Sequence, residues 1–151
     1  MTNVSNYANY YIEGYLMTVP KKEDYIFYQG NKFQVEFYFT ETGKMPAKKY
    51  FENESTDVQV KLATLVKYIA DHGRLFDKTK FRIVDSENKI FEFKPKAHRF
   101  FSFFYRDKKI IITNAYMKKF QKVSKNDLER AKNIKKDYIN RLTGGKYYEK
   151  N

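Results

Sequence analysis

The chain has 151 residues, of which 42% are hydrophobic, 19% aromatic and 32% charged, and its formal net charge is +12. This size and composition predict a single folded domain and exclude a disordered chain, because the apolar content is sufficient to build a core. Cysteine is absent, which excludes disulfides and thiolate metal sites, and no apolar run approaches the roughly 18 residues that a membrane span needs.

The N-terminal segment, residues 1–32, is rich in Asn and Tyr and is predicted to be an extension that could add a strand to the fold. Residues 25–28 and 33–39 are two strand-like runs separated by Gly30 and Asn31, a pair that suits the turn of a two-residue hairpin. The second run alternates apolar and polar residues, so we expect one of its faces to be buried.

Two helices are predicted to follow this hairpin. Pro46 suits the first turn of a short helix over residues 46–53. Thr56 and Gln59 form a capping box for a second helix, whose apolar positions recur with the 3.6-residue helical period. Gly73 is expected to end this helix, because glycine readily adopts the left-handed conformation that terminates many helices.

The second half of the chain is predicted to contain four strands and one helix. The strands are placed at residues 80–84, 89–94, 99–105 and 109–114. The helix begins at Ser124, which can cap it together with Asp127, and ends at Gly144. Short turns between successive strands indicate an antiparallel sheet with helices packed on one face, which is an α+β fold.

Positive charge and aromatic residues are concentrated in this second half. Residues 89–151 contain 18 of the 30 Lys and Arg but only 6 of the 18 acidic residues, whereas residues 1–88 contain 12 of each. A basic, aromatic-rich half indicates a polyanionic partner, with RNA or DNA as the first candidate. The N-terminus lacks the pattern of a secretory signal, so we expect a cytoplasmic protein without a membrane partner. His72 and His98 do not suffice for a zinc site, and we predict no metal and no cofactor.

A series of short segments between residues 33 and 141 has the order and spacing of a known family. The segments are Val-Glu-Phe-Tyr-Phe at 35–39, Gly-Lys-Met-Pro at 43–46, Lys-Phe-Arg-Ile at 80–83, Lys-Ile-Phe-Glu-Phe-Lys-Pro-Lys at 89–96, Arg-Phe-Phe-Ser-Phe-Phe at 99–104, Ile-Ile-Thr-Asn-Ala-Tyr-Met-Lys-Lys-Phe-Gln-Lys at 111–122 and the helix over 128–138. Together they resemble the RelE/HigB superfamily of toxin endoribonucleases, and most closely its phage-derived HigB-like branch. We therefore expect a toxin domain over residues 33–142 and a short basic tail over residues 143–151.

The resemblance implies a small twisted antiparallel sheet, with two helices from the N-terminal half and one C-terminal helix. It also implies the toxin of a type II toxin–antitoxin module, which cuts mRNA on the ribosome and is silenced by a cognate antitoxin. Cleavage without a metal requires attack of a ribose 2′-OH on the neighbouring phosphorus. Fixed cations must then stabilise the charge that develops on the phosphate, which is often the largest contribution to catalysis. The oligomeric state is left open.

Five residues are candidates for the catalytic centre. Arg99 matches the strand arginine of the family, and its planar guanidinium can bind two phosphate oxygens. Lys118 and Lys119 match the Lys-Lys pair that follows the last strand in the family and can contact the scissile phosphate or the flanking backbone. His98 is a candidate general base or acid because the ordinary pKa of histidine lies near neutrality. Glu92 is a candidate base or a group that orients Arg99; the alternative for all five is an ordinary solvated side chain.

Four further residues are candidate RNA contacts. Lys94 and Lys96 flank Pro95, and their spacing puts them on one face if the strand continues. Tyr116 could stack on a base or donate a proton, with core packing as the alternative. Lys122 extends the basic run that follows the last strand.

The sequence leaves two other functions open. The same scaffold could be a non-catalytic nucleic-acid-binding protein, such as an inactivated phage relative. It could also be an interaction module for an acidic protein. RNA cleavage that disappears in an Arg99→Ala variant would favour the nuclease, whereas a failure to bind RNA at any salt concentration would favour the protein-binding module.

Overall fold

The computed structural model describes residues 7–12, 15–75 and 77–149. The strands are β1 (Tyr7–Ile12), β2 (Tyr15–Pro20), β3 (Ile26–Gln29), β4 (Gln34–Phe37), β5 (Phe81–Asp85), β6 (Ile90–Phe93), β7 (His98–Tyr105) and β8 (Lys109–Met117). The helices are α1 (Lys22–Tyr25), α2 (Pro46–Glu52), α3 (Thr56–His72) and α4 (Lys125–Thr143). No helix in this described part of the chain combines the length and the apolar character that crossing a membrane requires.

Six strands form the main sheet in the order β3-β4-β8-β7-β6-β5, and β1 pairs with β2 in a separate two-stranded sheet. The predicted α+β class is confirmed. The sheet is mixed, however, and not antiparallel throughout, because β4 and β8 run parallel. After β4, α2 and α3 carry the chain to the far edge of the sheet, and β5 to β8 return strand by strand until β8 meets β4.

Helices cover both faces of the main sheet, whereas the sequence predicted helices on one face only. Phe100 belongs to the core formed with α2 and α3, in which Val66 is buried. Phe101, the next residue of the same strand, belongs to the core formed with α4, in which Ile134 is buried. Because successive residues of a central strand are apolar and point to opposite faces, both faces need a cover.

The helix ends follow local sequence signals. Ser55 caps α3 by accepting a hydrogen bond from a backbone N–H of the first turn, one residue before the predicted cap, Thr56. Gly73 ends α3 in the left-handed conformation, with φ of 84°, as predicted. Ser124 caps α4 by accepting from the backbone N–H of Asp127, which confirms the predicted start of this helix.

Residues on both sides of the expected toxin domain contribute to the folded core. β3, which lies in the predicted extension, forms the predicted hairpin with β4, although the loop spans residues 30–33 and is longer than the expected two-residue turn. Tyr147, in the segment expected to be a basic tail, is 1% exposed and stacks on Phe39 with 4.1 Å between the ring centroids. The backbone N–H of Phe39 donates a hydrogen bond to the Tyr147 hydroxyl.

Candidate nucleic-acid interface

Glu92 places a buried carboxylate in the middle of the sheet. It is 0% exposed, and its neighbours in β6 pack in the core beneath α2 and α3, so Glu92 faces the side that carries α4. Arg82 lies directly opposite Glu92 on β5, and Phe101 lies opposite on β7. Arg99 precedes Phe101 by two positions and therefore shares this face. Three adjacent strands thus bring two arginines and one carboxylate together.

The two arginines share one oxygen of Glu92. The Nε atom of Arg82 donates a hydrogen bond to Glu92 Oε1 over 2.9 Å, and the Nε atom of Arg99 lies 3.8 Å from the same oxygen. Glu92 Oε2 is buried and has no hydrogen-bond partner among the described residues. A charge buried this deeply is strongly destabilising unless opposite charges surround it, so each arginine compensates part of that cost.

Arg99 is held from a second side by the backbone. Its side chain is 11% exposed, and one terminal nitrogen, Nη1, donates to the carbonyl oxygens of Lys96 and His98 over 2.7 and 2.9 Å. Within the described residues, no hydrogen bond occupies the other terminal nitrogen, Nη2. The guanidinium is therefore fixed in place and retains donor capacity for a ligand.

Lys94 extends the positive charge along the same face, two positions after Glu92. Burial lowers its pKa below the ordinary value, and the nearby positive charges of Arg82, Arg99 and Lys118 lower it further. We call Arg82, Glu92, Lys94, Arg99 and Lys118 the Glu92 cluster. The cluster has four cations and one carboxylate, so its net charge favours binding an anion.

Tyr116 lies beside the Glu92 cluster. It is paired with Arg99 across β7 and β8, and its ring lies 5.5 Å from that of Phe101, measured between centroids. Its hydroxyl accepts a hydrogen bond from the backbone N–H of Ser124 at the start of α4. Burial raises the pKa of the phenol. Tyr116 therefore has the packing role that was the alternative to base stacking or proton donation, and it lies next to Arg99.

His98 does not join the other predicted catalytic residues. It precedes Arg99 in β7 and points to the opposite face, where it is 6% exposed. A hydrogen bond of 2.6 Å joins His98 Nδ1 to the hydroxyl of Tyr50, and His98 Nε2 lies 3.5 Å from a carboxylate oxygen of Glu54. Both ring nitrogens therefore face protein groups on the α2 side of the sheet.

The remaining predicted residues lie around the Glu92 cluster. Lys96 forms an ion pair with Asp57 at the start of α3, while its carbonyl holds Arg99. Lys119 and Lys122 are exposed in the loop between β8 and α4. The start of this loop is fixed because the backbone N–H of Lys118 donates to the carbonyl of Ala97 over 2.7 Å.

A basic groove adjoins the Glu92 cluster on the α3 side. Four lysines contribute to its lining, namely Lys61, Lys80, Lys94 and Lys96. Lys94 belongs to both features, so the groove and the cluster meet at this lysine. The groove is lined partly by α3, whereas Arg82, Glu92 and Arg99 lie on the face of the sheet that carries α4.

Arg82 is the member of the cluster that sequence reasoning missed. The signal was present, because Arg82 and Glu92 lie in two strands joined by a short polar turn, and an antiparallel register can place them opposite each other. The described residues contain no group of three or more His, Asp or Glu side chains that could hold a metal ion. The cations of the Glu92 cluster can bind an anion and stabilise its charge.

Comparison with known families identifies a match to part of the chain. A family model described as "Phage derived protein Gp49-like (DUF891)" matches residues 49–136, which is more than half of the 151 residues. The matched range begins in α2, ends in α4 and includes the whole Glu92 cluster and the loop after β8. No curated protein matches the chain.

Proposed function

Because the chain belongs to the phage-derived Gp49-like family, a RelE/HigB-like toxin family, we propose that it is the toxin of a type II toxin–antitoxin module and cleaves RNA. The proposed substrate is mRNA on the ribosome, and the proposed antagonist is a cognate antitoxin. In this proposal the protein acts in the cytoplasm.

The Glu92 cluster is the observation that carries this proposal. Cleavage by a 2′-OH group adds negative charge to the phosphate in the transition state, and preorganised cations stabilise that charge without having to rearrange. Arg82 and Arg99 supply such cations from β5 and β7, and Lys94 and Lys118 supply them from the residues that follow β6 and β8. Removal of one electrostatic donor of this kind typically costs about 10²–10³ in rate.

We assign Glu92 a positioning role. A side chain that is 0% exposed does not reach a substrate 2′-OH, so Glu92 is not the general base in this proposal. It holds Arg82 and Arg99 close together, although their like charges repel. The second terminal nitrogen of Arg99, Nη2, is then available to donate to the scissile phosphate.

Lys94 is the proposed group for proton transfer. Its pKa is lowered by burial and by the neighbouring cations, which makes release of its proton easier than for an ordinary lysine. His98, the other acid–base candidate, lies on the opposite face with both ring nitrogens next to protein groups. The proposal therefore gives His98 a structural role in holding β7 against α2.

Induced expression in a bacterial host tests the proposal. Wild type is compared with a triple Arg99→Ala, Lys118→Ala, Lys119→Ala variant, and growth and new mRNA 5′ ends are measured. A variant in which the exposed Lys22, Lys32 and Lys44 are replaced by Ala is the matched control, since it loses the same charge outside the cluster. We expect arrest and cleavage with wild type and with the control only. Soluble wild type that neither arrests growth nor cuts RNA would contradict the proposal.

The second candidate function is binding of nucleic acid without cleavage. The position of His98 favours it, because the one histidine next to Arg99 in sequence does not contact the Glu92 cluster. A binder would show salt-dependent affinity for RNA and no cleavage product, whereas the proposed nuclease would show both affinity and cleavage.

A further inference from the structure

The loop between β8 and α4 exposes an aromatic side chain. Phe120 is 80% exposed, more than any other large hydrophobic side chain in the described part of the chain. Met117, at the end of β8, is about half exposed. A single exposed hydrophobic residue is common in soluble proteins, so the surroundings of Phe120 decide what its exposure means.

The surroundings of Phe120 are positively charged. Residues 108–126 contain six Lys and no Asp or Glu. Lys118, Lys119 and Lys122 lie within two positions of Phe120, and Lys118 belongs to the Glu92 cluster. An aromatic ring among cations, without acidic residues, matches a ligand that is both anionic and aromatic.

Both ends of this loop are anchored beside the cluster. At its start, the backbone N–H of Lys118 donates to the carbonyl of Ala97, immediately before β7. At its end, the backbone N–H of Ser124 donates to the hydroxyl of Tyr116, the residue paired with Arg99. Phe120 thus lies two residues after Lys118, a member of the cluster, in a loop whose two ends are held beside Arg99.

We propose that Phe120 is a stacking platform for one unpaired base of a single-stranded RNA whose phosphate is held by the Glu92 cluster. The inference rests on the proposed function in taking RNA as the ligand, and it adds that the base next to the bound phosphate is unstacked from its neighbours. Proteins that select single strands commonly place a splayed base on an aromatic ring beside a basic track. Duplex RNA keeps its bases stacked inside the helix and does not offer such a face.

A Phe120→Trp variant tests the stacking directly. The chain has no Trp, so this substitution introduces a single tryptophan at the proposed platform, and its emission can be excited apart from that of the 14 Tyr. The ligand is a short single-stranded 2′-O-methyl RNA, which cannot be cleaved because it lacks the attacking hydroxyl. We expect this RNA to quench the fluorescence, whereas inorganic polyphosphate, which has charge but no bases, binds without quenching. Equal quenching by both polyanions, or by the duplex form of the same RNA, would overturn the inference.

Affinity measurements give an independent readout. Phe120→Ala is expected to weaken binding of the single strand about tenfold, since base–aromatic stacking contributes on that order. Tyr68→Ala is the matched control, because Tyr68 is an exposed aromatic residue on α3, which packs on the other face of the sheet. Unchanged affinity in Phe120→Ala, measured with a correctly folded variant, would also overturn the inference, and capture of an acidic protein by Phe120 would then be the competing explanation.

The two proposals fail in different ways. Quenching of Phe120→Trp by single-stranded RNA without any cleavage by wild type would support the stacking site and contradict the nuclease. Cleavage by wild type with no quenching and no affinity loss would support the nuclease and contradict the stacking site.

Discussion

Arg82 and Glu92 are joined across β5 and β6 by a hydrogen bond of 2.9 Å, and Arg99 approaches the same carboxylate oxygen from β7. One buried acid therefore sets the positions of two cations from two different strands. Because this arrangement depends on the register of three strands, small changes at Glu92 are expected to affect both stability and ligand binding.

Glu92→Ala is expected to destabilise the fold by about 3 kcal/mol, because it leaves two arginine charges close together without their shared counter-charge. Urea denaturation measures the loss. Glu129→Gln is the matched control, since Glu129 forms an exposed ion pair with Lys132 and its loss is expected to cost less than about 1 kcal/mol. Equal stability of Glu92→Ala and wild type would show that the carboxylate does not hold the arginines.

Arg82→Ala is expected to reduce RNA cleavage about 10²-fold, because it removes one fixed cation from the Glu92 cluster. Arg82→Lys is expected to restore little of this loss, since a lysine cannot reproduce the planar guanidinium that faces Glu92. Single-turnover rates on the same RNA measure both variants. Arg106→Ala, in the exposed turn between β7 and β8, is the control and should leave the rate unchanged.

The acid stability of the protein is expected to depend on Asp85. Two hydrogen bonds, first from the backbone of Asn88 and then from the Lys132 side chain, lower the pKa of Asp85 to about 2 from an ordinary value of 3.8. A folded-state pKa below the unfolded value gives stability that is present above pH 3.8 and is lost as the pH falls through about 2. Asp85→Asn should therefore lower the Tm at pH 6, and the difference from wild type should shrink towards pH 2. A constant difference in Tm across this range would contradict the expectation.

Tyr147→Ala is expected to destabilise the protein by about 3 kcal/mol or more, since it removes a buried ring that stacks on Phe39. Thermal or urea denaturation measures the effect. Glu149→Ala, two residues further on and exposed, is the control and is expected to stay close to wild type. Equal stability of Tyr147→Ala and wild type would show that the stacking of Tyr147 on Phe39 does not contribute to the core.

Local signals were the reliable part of the sequence prediction. The cap at Ser124 and the stop at Gly73 depend on a few neighbouring residues, and the structure confirms both. Successive residues such as Phe100 and Phe101 are apolar, and both are buried in the structure. This run of apolar residues could have predicted helices on both faces of the sheet. Alternation along β7 likewise implies that His98 and Arg99 point in opposite directions.

Features that depend on distant parts of the chain were not predictable in this way. The parallel pairing of β4 with β8 depends on the path that the chain takes through α2 and α3, and no local sequence pattern predicts that path. Arg82 was missed because its pairing with Glu92 depends on the register of β5 and β6, and sequence periodicity alone does not fix that register. The packing of Tyr147 on Phe39 joins residues 108 positions apart.

This last contact has a consequence for synthesis of the protein. β4 cannot pair with β8 until the chain has been synthesised as far as Met117, and Phe39 cannot receive its stacking partner until Tyr147 has been synthesised. Contacts between such distant residues form later and more slowly than local ones. A nascent chain in which the Glu92 cluster is already translated would still lack Tyr147, the residue that completes the core around Phe39.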